Sequence, residues 1–333
     1  MTSRFRVLGG RTTGDVSAAT ATPGGAFARV RAAVAVVARE PSLWAFGALS
    51  FAVRGGWLLL AVPIITFPGD GQLSTIFGPV LTTSGPSSGL AVLLALAGVA
   101  ALLVAGAAIL LAAYADVSAF DRTVHSPETL ELRSGRVARQ LHGGERRGLL
   151  ARVAGLHALG LVAILAVAGV VGRNIPQIVV AELQFPSNAT DPVVTRVLGQ
   201  IRGDLLVLAA VVVLVDIAVA IVSRRLMARG FGLADGARPG PRGAVRGMPR
   251  LLLMAVACWA VTFLVLLPVL WVSDLAWAAV RDPFLAPGVP SGPDLVREML
   301  TLVAFVAAWV GGFALAGLAS ALRAALWTTG SLR

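Results

Sequence analysis

Residues 89–115 run for 27 positions without one charged side chain. A helix needs about 20 apolar residues to cross the hydrocarbon core of a bilayer, so this segment alone points to lipid as the solvent. Six segments are long and apolar enough to cross: Leu43–Phe67, Gly89–Ala115, Leu149–Gly172, Leu205–Ser223, Leu251–Ser273 and Val296–Leu322. They are too long for strands, and backbone polar groups in lipid must be satisfied within the segment, so each is expected to be helical. Composition agrees. Apolar residues make up 57% of the 333 positions and charged residues 14%, with a mean hydropathy of +0.83, whereas soluble domains carry about a quarter charged residues. The expected fold is an all-α, polytopic membrane helical bundle.

The connections between segments set the expected orientation. Every one of the 28 basic residues is arginine, a composition typical of a GC-rich bacterial genome. Twenty-one arginines fall in the N-terminal segment, the loops after the second and fourth spans and the C-terminus, against five in the remaining connections. Positive charge marks the cytoplasmic side. The chain is therefore expected to be a multi-pass protein of the cell inner (plasma) membrane with both termini in the cytoplasm. The net charge of +11 is dispersed between apolar blocks and forms no single basic face, so nucleic acid is not an expected partner.

Residues 1–25 lack an apolar stretch and read as a disordered cytoplasmic tail; residues 26–333 read as one six-helix transmembrane domain. A basic segment precedes each odd-numbered span, which gives a plan of three hairpins with interfacial lead-in helices on the cytoplasmic side. In residues 26–39, Phe27, Val30, Val34 and Val37 share one helical face, with Arg29 and Arg39 pointing elsewhere. Residues 127–141 begin with Ser126 as a helix cap and Pro127 at the first helical position. Residues 241–250 repeat the idea less cleanly because of their Gly and Pro. Small residues also recur on single faces, as in Ala304, Ala308, Gly312, Ala316 and Ser320, and in Ala97, Ala101, Ala105, Ala108 and Ala112, where helices can approach closely.

Three polar groups interrupt the spans. Arg54, His157 and Asp216 lie roughly 16, 12 and 10 Å from the cytoplasmic edge at 1.5 Å per residue, so all three fit one layer in the inner half of the bilayer. An uncompensated charge there costs several kcal/mol. An Arg54–Asp216 pair locking spans one and four is one reading of this cluster; a ligand or ion site is the other. Gly55 and Gly56 beside Arg54 offer a helix break that frees backbone carbonyls. Arg238, Arg242, Arg246 and Arg250 form a basic series that either grips anionic lipid headgroups or serves only as the topology signal.

Enzymatic motifs are missing. The absence of lysine rules out a Walker A loop, a Schiff base and a Ser–Lys dyad, and there is neither His-Glu-x-x-His nor Cys-x-x-Cys. The single Cys258, inside an apolar run, excludes an intrachain disulfide and reads as a buried thiol. Gly85-Pro-Ser-Ser-Gly89 matches a nucleophile elbow in letters only, since it precedes a span and has no strand before it. No catalytic residue, metal site or cofactor is expected.

Arg39-Glu-Pro-Ser-Leu-Trp-Ala-Phe-Gly47 ahead of Val53-Arg-Gly-Gly-Trp57, Gly135-Arg-Val-Ala-Arg139, and Ser320-Ala-Leu-Arg-Ala-Ala-Leu-Trp327 resemble uncharacterised six-span bacterial integral membrane proteins. More loosely, the plan is similar to the membrane domain attached to some glycerophosphodiester phosphodiesterases. The resemblance implies a fold and no reaction, because the soluble catalytic barrel and its acidic ligands are absent. Two function classes fit: a non-enzymatic membrane component that binds the lipid bilayer, anionic lipids or a protein partner, and a transporter or permease subunit using the Arg/His/Asp layer.

Overall fold

The computed structural model describes residues 25–61, 64, 88–130, 132, 137–188, 191, 193–233, 241–285 and 292–332. Among them there are helices and no strands. In chain order these are α1 (Ala26–Arg39), α2 (Pro41–Phe51), a π turn (Ala52–Gly56), α3 (Trp57–Ala61), α4 (Ser88–His125), α5 (Gly143–Gly172), α6 (Ile175–Gln184), α7 (Val193–Gln200), α8 (Arg202–Gly230), α9 (Pro241–Leu285) and α10 (Gly292–Ser331). Five helical segments are long and apolar enough to cross a membrane, and a bent α1–α2 pair makes a sixth if counted as one span. An all-α bundle with multiple membrane-crossing helices is what the apolar segments demanded.

The first span departs most from expectation. A single helix over 43–67 does not form. The chain turns by 99° between α1 and α2, at Glu40 (φ −112°, ψ 85°), because Pro41 drives the residue before it out of the helical region. Eleven residues later α2 widens into the π turn, where Gly55 takes φ +88°. Only glycine enters that region without strain. Residues 62, 63 and 65–67 of the expected span lie outside the described residues, as do most of the N-terminal tail and Arg238.

The lead-in segments turn out dissimilar. The first is helical, but the face chosen from its larger apolar residues is largely the wrong one. Phe27, Val30 and Val34 are exposed, while Arg29, Ala32, Ala33, Val36 and Val37 are buried. Alanines let α1 approach α10 closely, and in lipid a large exposed apolar side chain carries no penalty. No continuous helix over 127–141 forms among the described residues: Pro127–Thr129 is a 3-10 turn and residues 137–142 are non-helical. The turn has a local cause: Thr129 Oγ1 donates to the carbonyls of Ser126 (2.9 Å) and Thr123 (3.0 Å), folding the segment back onto the end of α4. The third lead-in is helical and continuous with the fifth span as α9.

Packing concentrates at the end of the bundle where α4 and α8 finish and α5 begins, hereafter the basic end. Val117, Phe120 and Val124 of α4 meet Val153 of α5 and Met227 of α8 there, with Phe231 beyond its end. Val36 and Val37 of α1, Leu43 of α2, Cys258 of α9 and Trp327 of α10 form a second cluster. Cys258 is a buried free thiol, as its apolar run implied. Gly47 and Gly317 face each other across α2 and α10 so closely that a Cβ on Gly47 would strike the Gly317 carbonyl. By contrast residues 91–104 of α4 are exposed on every side. The small-residue faces follow the same division: Ala112, Gly312 and Ala316 are packed, whereas Ala97, Ala101 and Ala304 are not.

The connection between the third and fourth spans is itself folded. Helices α6 and α7 close on an apolar contact of Ile178, Leu183, Val193 and Val197. A buried ion pair, Arg196 Nε to Glu182 Oε2 at 2.9 Å, pins one helix to the other.

Candidate functional site

Three segments bring basic side chains to a carboxylate on a fourth. Asp116 sits on α4 directly after the uncharged run, with its side chain 6% exposed. The π turn presents Arg54, whose Nη2 donates to Asp116 Oδ2 at 2.7 Å. From α5, His157 Nε2 lies 3.1 Å from the same oxygen. From α8, Arg224 donates through Nη2 to Asp116 Oδ1 (3.5 Å) and through Nη1 to the Asp116 carbonyl (3.3 Å). Two residues nearer the basic end on α4, Ser118 Oγ accepts from Arg146 Nη2 at 3.2 Å.

Local structure explains how these groups arrive. Phe51 before the π turn packs edge-on against Phe313 of α10, and Trp309 Nε1 donates to the Leu60 carbonyl after it (3.2 Å). Both flanks of the turn are therefore tied to α10, which aims Arg54 at α4. The start of α5 is set by the Glu145 carboxylate, which accepts the His142 N–H (3.4 Å) and Arg139 Nη2 (2.9 Å). Such reciprocal capping fixes where a helix begins, and so places His157 at the height of Asp116.

Of the three residues expected to share a layer, Arg54 and His157 do meet. Asp216 does not join them, and the expected Arg54–Asp216 pair is not formed. Asp216 bonds Arg323 of α10 instead, and that guanidinium also lies over the Trp259 ring, 5.3 Å from its centroid. Depth along the chain gave a layer but could not give the direction in which each helix faces. Asp116 and Arg224 were missed because each stands at the border of an apolar run and was counted as loop. Asp116 carried a legible signal nonetheless, being the first charged residue after 45 uncharged positions. Of the basic series, Arg242, Arg246 and Arg250 follow one another at four-residue spacing on the first turns of α9.

No known protein family, characterised protein or solved structure matches this chain. The site's chemistry must be read from its own groups. Two guanidiniums share one carboxylate, so these three groups carry one positive charge in excess. Asp116 accepts from three side chains and its side chain is 6% exposed, which leaves it badly placed to reach a substrate proton. Arg54 is the accessible member, its side chain 35% exposed against 6% for Arg224. Among the described residues no three His, Cys, Asp or Glu side chains are grouped to hold a metal ion.

A second polar region lies beyond the hub at the basic end. A cleft of about 380 Å³ is lined by Glu40, Asp121, His125, Gln140, Arg146 and Phe231, among others. At its edge Glu128 accepts from the Ser126 hydroxyl and from Arg39. The Ser126 hydroxyl first, then a backbone N–H and the Arg39 guanidinium, hold the Glu128 carboxyl below the usual carboxylate range.

Proposed function

We propose that this protein is a non-enzymatic, six-span component of the plasma membrane that works by binding an anionic ligand at its basic end, with that end and both termini in the cytoplasm. The observation that carries the reading is the hub around Asp116. Its carboxylate is buried and held by three side chains, and the hub keeps a surplus guanidinium charge near the edge of the apolar zone. Buried charges in membranes mark binding or transport paths, and a site with surplus positive charge is suited to holding an anion. The arginine distribution supports the orientation, and the α1–α2 elbow supports a lead-in helix lying along the cytoplasmic interface. Lipids retained through purification in mild detergent, identified by mass spectrometry, test this function. Enrichment of anionic over zwitterionic lipid relative to the host membrane is expected; retention in the bulk membrane ratio overturns it.

A second reading, a transporter or permease subunit, draws on one specific observation. The π turn at Arg54 breaks the first span beside the charged layer, as in discontinuous transporter helices. Uptake of a labelled anion into proteoliposomes, lost in Arg54→Gln, would favour it over simple binding.

A further inference from the structure

We propose that Arg54 is the phosphate-binding residue of a glycerophospholipid site that opens sideways to the bilayer at the π turn, with Arg224 supplying charge behind it. The inference rests on the anion-binding reading above and names the ligand class.

Three observations converge. First, donors are left over. Asp116 has one negative charge for two guanidiniums, and Arg224 Nε is buried without a hydrogen-bond partner on a side chain 6% exposed. A buried donor left unpaired is costly, and a nearby anion offsets that cost through its field even where Arg54 makes the direct contact. Second, the flank of Arg54 is apolar and open. Trp57 and Leu58, three and four residues on, are 51% and 50% exposed. A guanidinium followed three and four residues on by an exposed indole and isobutyl group suits an amphiphile: phosphate on the cation, glycerol and ester region at the indole, acyl chain along Leu58. Free phosphate would use the charge and leave that apolar flank without a role. Third, the height fits. Asp116 follows the uncharged run of α4, and Arg224 follows the apolar run that ends at Ser223. On α4 and α8 the hub therefore stands where apolar surface gives way to charge, the level of a leaflet's phosphates, and its contacts draw Arg54 and His157 to a shallower height than their counts along the chain suggested. The net charge of the hub selects a lipid whose headgroup carries no compensating ammonium, as in phosphatidylglycerol.

Purified full-length protein in mixed micelles would be titrated with dioleoyl phosphatidylglycerol, dioleoyl phosphatidylcholine and inorganic phosphate, following the thermal midpoint. Wild type is expected to gain stability from phosphatidylglycerol and little from the other two. Arg54→Gln is expected to need roughly tenfold more phosphatidylglycerol for half the effect, the size of one lost charge-assisted hydrogen bond. Arg152→Gln, which removes an exposed arginine at the same end, should stay within about twofold of wild type. Trp57→Ala, a change on an exposed face that leaves the ion pairs intact, should weaken phosphatidylglycerol several-fold. If Arg54→Gln does not fold, Trp57→Ala still decides. An unchanged Trp57→Ala, equal effects of Arg54→Gln and Arg152→Gln, equal stabilisation by phosphatidylcholine, or full competition by inorganic phosphate would each overturn the site. Phosphatidylglycerol stabilisation that survives in Arg54→Gln overturns this location alone, whereas a wild type indifferent to phosphatidylglycerol and phosphate removes the anion-binding reading with it.

Discussion

The Asp116 hub and the Glu182–Arg196 pair are both buried clusters of charge, and they differ in one respect that separates a site from a lock. At Glu182 the charges balance and the acceptors are filled: the carboxylate takes Arg196 Nε, the Ser187 N–H and hydroxyl, and Gln200, while Arg196 also donates to the Asn188 and Asp191 carbonyls. These contacts fall within residues 182–200, so the pair closes one short hairpin. At Asp116 the contacts span four helices, the charges do not balance, and one arm reaches the surface. A balanced cluster with all its hydrogen bonds made has nothing to offer a ligand. An unbalanced one with an exposed cation does.

This difference fixes an order of effects. Asp116→Leu should be the most damaging, because it leaves two guanidiniums facing each other without a counter-charge; a loss of about 3–5 kcal/mol is expected from the behaviour of broken buried pairs, read as a fall in the thermal midpoint of purified protein. Glu182→Leu should cost less globally, about 2–3 kcal/mol for one uncompensated guanidinium, and its signature should be local. Proteolysis between residues 173 and 201 should accelerate, and Glu182→Leu/Arg196→Leu should restore resistance. A hub variant that produced the same confined cleavage would erase the distinction.

The third effect concerns partner choice. Arg54→Leu and Asp216→Leu should combine additively, within about 0.5 kcal/mol, since the two residues have different partners. Asp216→Leu and Arg323→Leu should instead couple, by about 1–2 kcal/mol given their partial burial. Coupling of Arg54 to Asp216 would reinstate the pairing suggested by depth alone.

The smallest effect belongs to Glu128, which joins the 3-10 turn to α1. Its folded carboxyl titrates below the ordinary value near 4.5, so the contact contributes stability above that value and loses it as pH falls through the lowered one. Arg39 is largely exposed, and solvent screening limits the contribution to a few tenths of a kcal/mol. Glu128→Gln should remove this acid-side slope and leave stability near pH 7 reduced by the same small amount.

Much of the bundle was legible because lipid imposes a one-dimensional rule: a predominantly apolar run of sufficient length must be helical. That rule found α4, α5, α8, α9 and α10 with no knowledge of their neighbours. It failed where tertiary geometry decides, as at Gly55, whose left-handed backbone splits the first span, and at Pro127–Thr129, where Thr129 ties a 3-10 turn back onto the end of α4. The site was half legible for the same reason. Arg54 and His157 announce themselves as charges inside apolar runs. Asp116 and Arg224 sit one residue past such runs, where a charge ordinarily means only that the membrane has ended. Which helix face each charge occupies is three-dimensional information, and so Arg54 could not be matched to Asp116 from its depth.

The central claim, that surplus positive charge at the hub is what a ligand uses, is tested most directly by Asp116→Asn. This change preserves shape and removes the only carboxylate seen to contact Arg54 or Arg224 among the described residues. Thermal midpoints would be compared with wild type as phosphatidylglycerol is added to neutral micelles. The variant should start lower than wild type and gain more from the lipid, because the unopposed guanidiniums now take the lipid phosphate as their counter-charge. A variant that gains no more than wild type would contradict the account.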